Sequence, residues 1–184
     1  MRIIGGTRKG RKLISVPGWK TRPTSDRIKE SIFNILPMIT PETLVLDLFA
    51  GTGSFSLEAL SRGATYAVLI DNAKQAIKVI NRNIGACGFL DRSEVIMWDI
   101  LLNLNCLIRL RKRFNLIFMD PPYDQHTLAL VLNHLIQSLA MADNAGIIIE
   151  HSIKEPLPIL PPQLILNDER KYGKTLVSFL TYML

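Results

Sequence analysis

The sequence predicts an α/β protein with a mostly parallel sheet, closed at one edge by a C-terminal antiparallel hairpin. Three observations carry this. From residue 43 onward, short apolar runs alternate with segments whose apolar residues recur at helical spacing. One run, Leu44 to Leu48, breaks into the turn Phe49-Ala50-Gly51-Thr52-Gly53 and then into a helix, which is the first crossover of a nucleotide-binding sheet. The last two runs, residues 163–171 and 175–183, flank Tyr172-Gly173-Lys174 and read as the hairpin.

In chain order, Arg2 to Ile4 and Lys12 to Val16 read as two short strands around Gly5-Gly6 and Gly10, a small basic β-hairpin. Pro17-Gly18 ends it. A helix follows, with Thr24 or Ser25 as its cap and Asp26 at its positive end. Its apolar stripe is Ile28, Ile32, Ile35 and Leu36, and Pro37 and Pro41 stop it. Residues 1–40 thus form a basic extension to a domain at 41–184. Within that domain strands are expected at 43–48, 66–70, 94–97, 114–119 and 145–150, and helices at 54–62, 73–85, 100–110 and 126–141. Short connections imply right-handed crossovers.

The 184 residues are 48% hydrophobic, enough for a real core and against disorder. No apolar run approaches about 18 residues, so no membrane span is expected. The N-terminus lacks the apolar stretch of a signal peptide. Cys87 and Cys106 show no metal or redox spacing and read as reduced thiols of a cytoplasmic protein. Charge is unevenly placed. Residues 1–36 hold nine Lys/Arg against Asp26 and Glu30, a net of +7, whereas the rest of the chain nets −1. A basic arm on a near-neutral domain is the footprint of a polyanion binder; a solubilising tail would also carry charge, but this arm includes Ile3, Ile4, Leu13, Ile14, Val16 and Trp19.

The glycine turn lacks the Lys of a phosphate-binding loop, and its third fingerprint position is Ser56. A carboxylate, Asp47, two residues before Phe49, with small residues after it, suits a positively charged ligand without a pyrophosphate. S-adenosyl-L-methionine is such a ligand; an ordinary βα turn has the same local pattern. In open α/β sheets ligands sit beyond the strands' carboxyl ends. Four successive strand ends carry acids there: Asp47, Asp71-Asn72, Asp99 and Asp120. An acid at the second of these typically grips ribose hydroxyls.

Asp120-Pro121-Pro122-Tyr123 is the second anchor. Two prolines stiffen the loop. The Asp120 side chain and the Pro121 carbonyl can accept both hydrogens of an exocyclic amine, which aims the nitrogen lone pair at a methyl donor. Tyr123 offers a flat face for a flipped-out base. His126, His134 and His151 lack metal-ligand spacing, so no metal is expected. Arg109, Arg111, Lys112 and Arg113 cluster at an expected helix end, where the helix dipole alone accounts for them, and an RNA contact is the other reading. Trp98, beside Asp99, reads as core or as a flank for an adenine ring.

Asp47 to Gly53, Asp71 and Asp120 to Tyr123 resemble the Rossmann-fold class I methyltransferases that modify exocyclic amines with S-adenosyl-L-methionine. Arg2-Ile-Ile-Gly-Gly6, Gly10-Arg-Lys-Leu13 and Arg22-Pro-Thr-Ser-Asp-Arg27 narrow the resemblance to the bacterial ribosomal small-subunit methyltransferase D family, along nearly the whole chain. The resemblance implies methylation of N2 of a guanine in 16S rRNA, within the small subunit or an assembly intermediate. It implies that Asp47, Phe49, Ala50, Gly51, Thr52, Gly53, Asp71, Asn72 and Asp99 line the cofactor, and that Asp120, Pro121, Pro122 and Tyr123 hold the amine. Arg2, Arg8, Lys9, Arg11, Lys12, Arg22, Thr24, Asp26 and Arg27 would meet the RNA. Asp71 departs from the Glu frequent in that family, and the chain has no basic C-terminal tail. A monomer is expected. A DNA adenine or cytosine amine methyltransferase could use the same loop, but 184 residues leave little room for a base-reading domain. A silent RNA-binding module is the third reading, and an intact Asp-Pro-Pro-Tyr argues against it.

Overall fold

A computed structural model describes residues 1–17, 26–122 and 127–184. Among them a seven-stranded sheet runs in the order β3-β2-β1-β4-β5-β7-β6. Its strands are β1 (Leu44–Leu48), β2 (Tyr66–Asp71), β3 (Ser93–Met97), β4 (Phe114–Met119), β5 (Met141–Ser152), β6 (Leu164–Tyr172) and β7 (Thr175–Tyr182). The first five are parallel, and β7 and β6 add antiparallel strands beside β5. The α-helices are α1 (Asp26–Ile35), α2 (Ser54–Arg62), α3 (Lys74–Cys87) and α4 (Leu128–Gln137).

Successive strand residues point to opposite faces, so each central strand feeds two cores. Leu46, Leu48, Ile117, Met119, Ile147 and Ile149 pack with Val131 and Leu135 of α4. Val45, Leu69, Phe118, Ile148 and Phe179 pack with α1, α2 and α3 on the other face. There Phe55 stacks on Phe118 at 4.9 Å between ring centroids, and Phe33 lies 5.6 Å from Phe118. This aromatic trio ties α1 and α2 to β4 two residues before Asp120. No helix among the described residues is long and apolar enough to cross a membrane.

Several local expectations are corrected. The N-terminal hairpin is shorter than expected: one antiparallel bridge, Arg2 to Lys12, flanked by the Ile3 amide on the Arg11 carbonyl and the Leu13 amide on the Met1 carbonyl, with a short 3-10 turn at Gly6–Arg8. The backbone groups that would extend the ladder are taken by helix side chains. The amides of Ile4 and Gly5 donate to Glu58, and Asn83 bonds both the amide and the carbonyl of Ile14. The face of α1 that is buried carries Lys29, Ile32 and Phe33, while Ile35 is exposed.

The expected helix at 100–110 is only a 3-10 segment, Asn105–Leu110. Asp99 accepts from the Leu101 amide and Asn103 from the Asn105 amide, so these side chains favour turns over helix. Helix α4 stops at Gln137 because Leu139 turns left-handed (φ 53°), and β5 starts at Met141, four residues earlier than expected. A register shift between Phe114 and Leu116 absorbs the extra length.

Candidate functional site

The carboxyl ends of β1, β2 and β4 bring the acids together. Asp47 lies within β1 and is 3% exposed. Because Leu46 and Leu48 point toward α4, Asp47 points toward α2. There it accepts the Ser56 amide at 3.2 Å and the Ser56 hydroxyl at 2.8 Å. Burial pushes its carboxyl up to about 7, the Ser56 bonds pull the other way, and the charge of Asp71 adds to the rise.

The turn between them is held on both sides. The Gly51 amide donates to Asp71 at 2.9 Å, the Ala50 amide to the Ile70 carbonyl at 3.0 Å, and Asn83 to the Thr52 carbonyl at 3.0 Å. Phe49 (φ 60°), Gly51 (φ 58°) and Gly53 (φ 75°) all lie in the left-handed region. A Cβ on Gly53 would come within 2.9 Å of Leu69, a residue with no solvent exposure, so the turn needs glycine there. Phe49 takes this conformation without being glycine, a local cost of the kind found where a backbone is shaped for a ligand.

Asp71 ends β2. Its second oxygen accepts the Ala73 amide at 2.9 Å. Each oxygen thus holds one backbone amide and keeps a further lone pair for a hydroxyl. Asn72 beside it is exposed. Asp99 is half-buried beyond β3, with one oxygen on the Leu101 amide. Trp98 is anchored by its indole N–H on the Asn103 carbonyl, half-buried against the α4-side core. The strand ends therefore offer carboxylates around a tight turn. That donor set fits a cation with ribose hydroxyls, as S-adenosyl-L-methionine is.

Asp120 follows β4 directly, and its amide reaches the Leu48 carbonyl at 3.4 Å. The residue keeps partial solvent access, yet burial holds its carboxyl well above the usual range. The charges of Glu150 and Asp47 push in the same direction. Pro121 is buried and Pro122 exposed. Tyr123 and His126 lie outside the described residues, as do Trp19, Arg22 and Thr24. Glu150, at 5% exposure on β5, belongs to the same acidic group. The sequence signal for it is a lone acid at the end of the run Ile147-Ile148-Ile149.

The basic residues do not gather at one point. Arg2 pairs with Asp26 near the start of α1, at 3.4 Å. Arg8 is exposed yet tied to the fold: its Nε donates to the Cys87 carbonyl at the end of α3, and its guanidinium lies over Phe89. Lys9, Arg11, Lys12 and Arg27 are exposed and carry no ion pair among the described residues. Lys9, Arg11 and Lys12 follow the Gly6–Arg8 turn, and Arg27 is on α1. Arg109 pairs with Glu94, and Lys112 covers the Tyr66 ring. Arg111 to Arg113 precede β4 and so sit at the opposite end of the sheet from Asp120.

Two residues invisible to motif reading join these parts. Lys29 and Glu58 have no solvent exposure. The Lys29 ammonium donates to the Arg2 carbonyl at 2.7 Å and to Ser54 at 2.8 Å, and lies 3.6 Å from Glu58. Arg62 completes the group at 2.8 Å from Glu58. Burial pulls the Lys29 ammonium below its ordinary range, against the opposing effect of Glu58. A signal is present in the sequence: Lys29, Ile32, Phe33 and Leu36 repeat at i, i+3, i+4, i+7.

The remaining groups are structural. His151 is buried between the Glu155 carbonyl and the Ser178 hydroxyl, and His134 bonds the Ile100 carbonyl. Cys87 and Cys106 are free and buried, and burial pushes both thiols up. Among the described residues no group of His, Cys, Asp and Glu could hold a metal ion. A hollow of about 440 Å³ opens at the amino end of the sheet, lined by Met38, Asn115 and Ile147, away from the acids.

Comparison with known proteins places this arrangement. The model of a family described as conserved hypothetical protein 95 matches residues 1–181. Ribosomal RNA small subunit methyltransferase D of Escherichia coli is 33% identical over 177 residues, covering 95% of this chain and 86% of its own. The Haemophilus influenzae protein of the same name is 30% identical over 182 residues, covering 99% and 93%. The solved structure of protein TTHA0928 from Thermus thermophilus superposes with a TM-score of 0.80 at 28% identity, covering 97% of this chain and 98% of that one. The chain belongs to the family of the ribosomal RNA small subunit methyltransferase D proteins, and its fold is the Rossmann-like α/β fold of class I methyltransferases.

Proposed function

We propose that this member of the family uses S-adenosyl-L-methionine to methylate the exocyclic N2 amine of one guanine in 16S rRNA. The single observation that carries the reading is the position of Asp120 and Pro121. They stand at the end of β4, beside the β1 turn that Asp47 braces through Ser56. The cofactor supplies a methyl group already activated by its positive sulfur, so neither a metal nor a covalent nucleophile is needed.

The protein's own residues then have three tasks. Asp47, Asp71, Asn72 and Asp99, with Phe49 to Gly53, hold the cofactor by its charge and its hydroxyls. Asp120 and the Pro121 carbonyl accept the two amine hydrogens, and the stiff Pro121-Pro122 step fixes the nitrogen in line for attack. Tyr123 stacks the base once it leaves its neighbours. Residues 1–40 act as the RNA-docking extension, through Arg2, Lys9, Arg11, Lys12, Arg22, Thr24, Asp26 and Arg27. Arg8 serves that extension by pinning it to α3. The substrate is the small subunit or an assembly intermediate, met by a monomer in the cytoplasm.

The test is transfer of labelled methyl to small subunits from a strain lacking this enzyme, followed by mapping of the modified base, with genomic DNA as a rival substrate. Label on N2 of one 16S guanine supports the reading. Label on DNA instead would move the assignment to a DNA amine methyltransferase.

A further inference from the structure

We propose that Glu150 is a positioning residue of the amine site, holding Asp120 ready to take the proton that the substrate nitrogen sheds as it gains a methyl group. The inference rests on the methyl-transfer reading above.

The geometry is set by strand register. Strands β4 and β5 are parallel neighbours, with Met119 opposite Ile149. One residue further along each strand stand Asp120 and Glu150, on strands about 4.8 Å apart. Phe118 and Ile148, two residues earlier, both face the core under α1 and α2, so alternation puts the two carboxyls on that same side. Glu150 is almost wholly buried, and Asp47 of β1 is the third acid on this face.

Among the described residues, the elements packed against this face carry these groups. On the covering helices, Lys29, Glu58 and Arg62 bond among themselves. On β7 the residue opposite Glu150 is the apolar Val177. On β1 the nearest titratable group is Asp47, which holds Ser56. Burial and the two like charges all favour a proton on Asp120.

The chemistry requires such a group. In the transfer, the amine lone pair forms the new N–C bond, and the S–C bond breaks with its electrons left on sulfur. One N–H bond then breaks, and its proton passes to the Asp120 carboxylate. An isolated carboxylate binds a proton weakly near neutral pH. Two adjacent carboxylates shielded from bulk water bind the first proton more tightly, because holding it relieves their mutual repulsion. Glu150 need not touch the base to do this. It acts through Asp120.

The test is the pH dependence of methyl transfer to small subunits at saturating cofactor. Wild type should show an acid limb set by the pair. In Glu150→Gln the midpoint of that limb should move to lower pH by about one unit or more, with cofactor affinity and KM for the subunit unchanged. Glu150→Asp, which keeps the charge, should restore the wild-type limb. A folded Glu150→Gln protein with an unmoved limb overturns the proposal. If that variant does not fold, carbon-detected titration of the wild-type carboxyls decides. Coupled two-step curves for Asp120 and Glu150 support the pair, and independent single steps overturn it. Failure of wild type to methylate rRNA would instead sink the proposed function, while the titration would still judge the pair.

Discussion

Glu58 and Lys29 meet 3.6 Å apart with 0% and 1% of their side chains exposed, and they join the N-terminal arm to the helix that follows the glycine turn. Glu58 also accepts the amides of Ile4 and Gly5, and Lys29 also holds Arg2 and Ser54. Removing either partner strands a buried charge. We expect Glu58→Ala to destabilise the fold by about 3–5 kcal/mol, a fall in Tm of roughly 10 °C for a chain of this size. Urea unfolding measures it. A loss under about 1 kcal/mol would mean that the pair is solvated in solution.

A pH dependence of cofactor binding follows from Asp47, whose carboxyl is raised to about 7. A cationic ligand favours its ionised form. Affinity for S-adenosyl-L-methionine should therefore weaken on acidification, approaching tenfold per pH unit below about 7. Calorimetry from pH 5.5 to 8.5 checks this, and Asp47→Asn should bind weakly with a flat profile.

The same group has the opposite effect on the empty protein. Between its unfolded value near 3.8 and its folded value near 7, the folded state binds the extra proton. Its contribution therefore makes stability fall as pH rises across that window, and it levels off above it. Asp120, also raised, acts in the same direction. Denaturant midpoints measured from pH 4 to 8 should show the decline, and Asp47→Asn should flatten it.

Gly53→Ala tests the turn. The new Cβ meets a backbone at φ 75° and the buried Leu69 side chain at 2.9 Å. A stability loss of roughly 1–3 kcal/mol is expected, together with weaker cofactor binding because the turn must shift. Retained affinity would show that cofactor binding does not depend on that turn.

The exposed Lys9, Arg11 and Lys12 predict a salt effect. Replacing Lys9, Arg11 and Lys12 by Ala removes up to three phosphate contacts. The slope of log affinity for rRNA against log salt should shrink by about 2 for single-stranded contacts. Cofactor affinity should not change, since none of the three bonds the glycine turn. An unchanged slope would place the RNA elsewhere.

How much of this is legible in the sequence depends on how local each cause is. The placement of the glycine turn, Asp71 and Asp120 at strand ends is readable because a few consecutive residues set it. The parallel sheet and its hairpin are readable from alternation of apolar runs. The segment after Asp99 reads as helix because its apolar spacing outweighs Asp99 and Asn103, whose side chains in fact capture nearby amides. The N-terminal segments read as paired strands and do pair, from Met1–Leu13 to Ile3–Arg11, but beyond that Glu58 and Asn83, more than fifty residues away, take the amides of Ile4, Gly5 and Ile14 and cut the ladder short. Lys29 and Glu150 carry only a weak signal, a place in the apolar stripe of α1 and at the end of the run Ile147-Ile148-Ile149, and it is the packing of α1 on α2 and of β5 on β4 that buries them.

The most direct test of the central claim compares wild type with Asp120→Ala in labelled methyl transfer to small subunits lacking the modification. Wild type should label N2 of a single 16S guanine. The variant should lose at least about a hundredfold in transfer, with cofactor affinity retained. Full transfer by Asp120→Ala would contradict the role given to the end of β4.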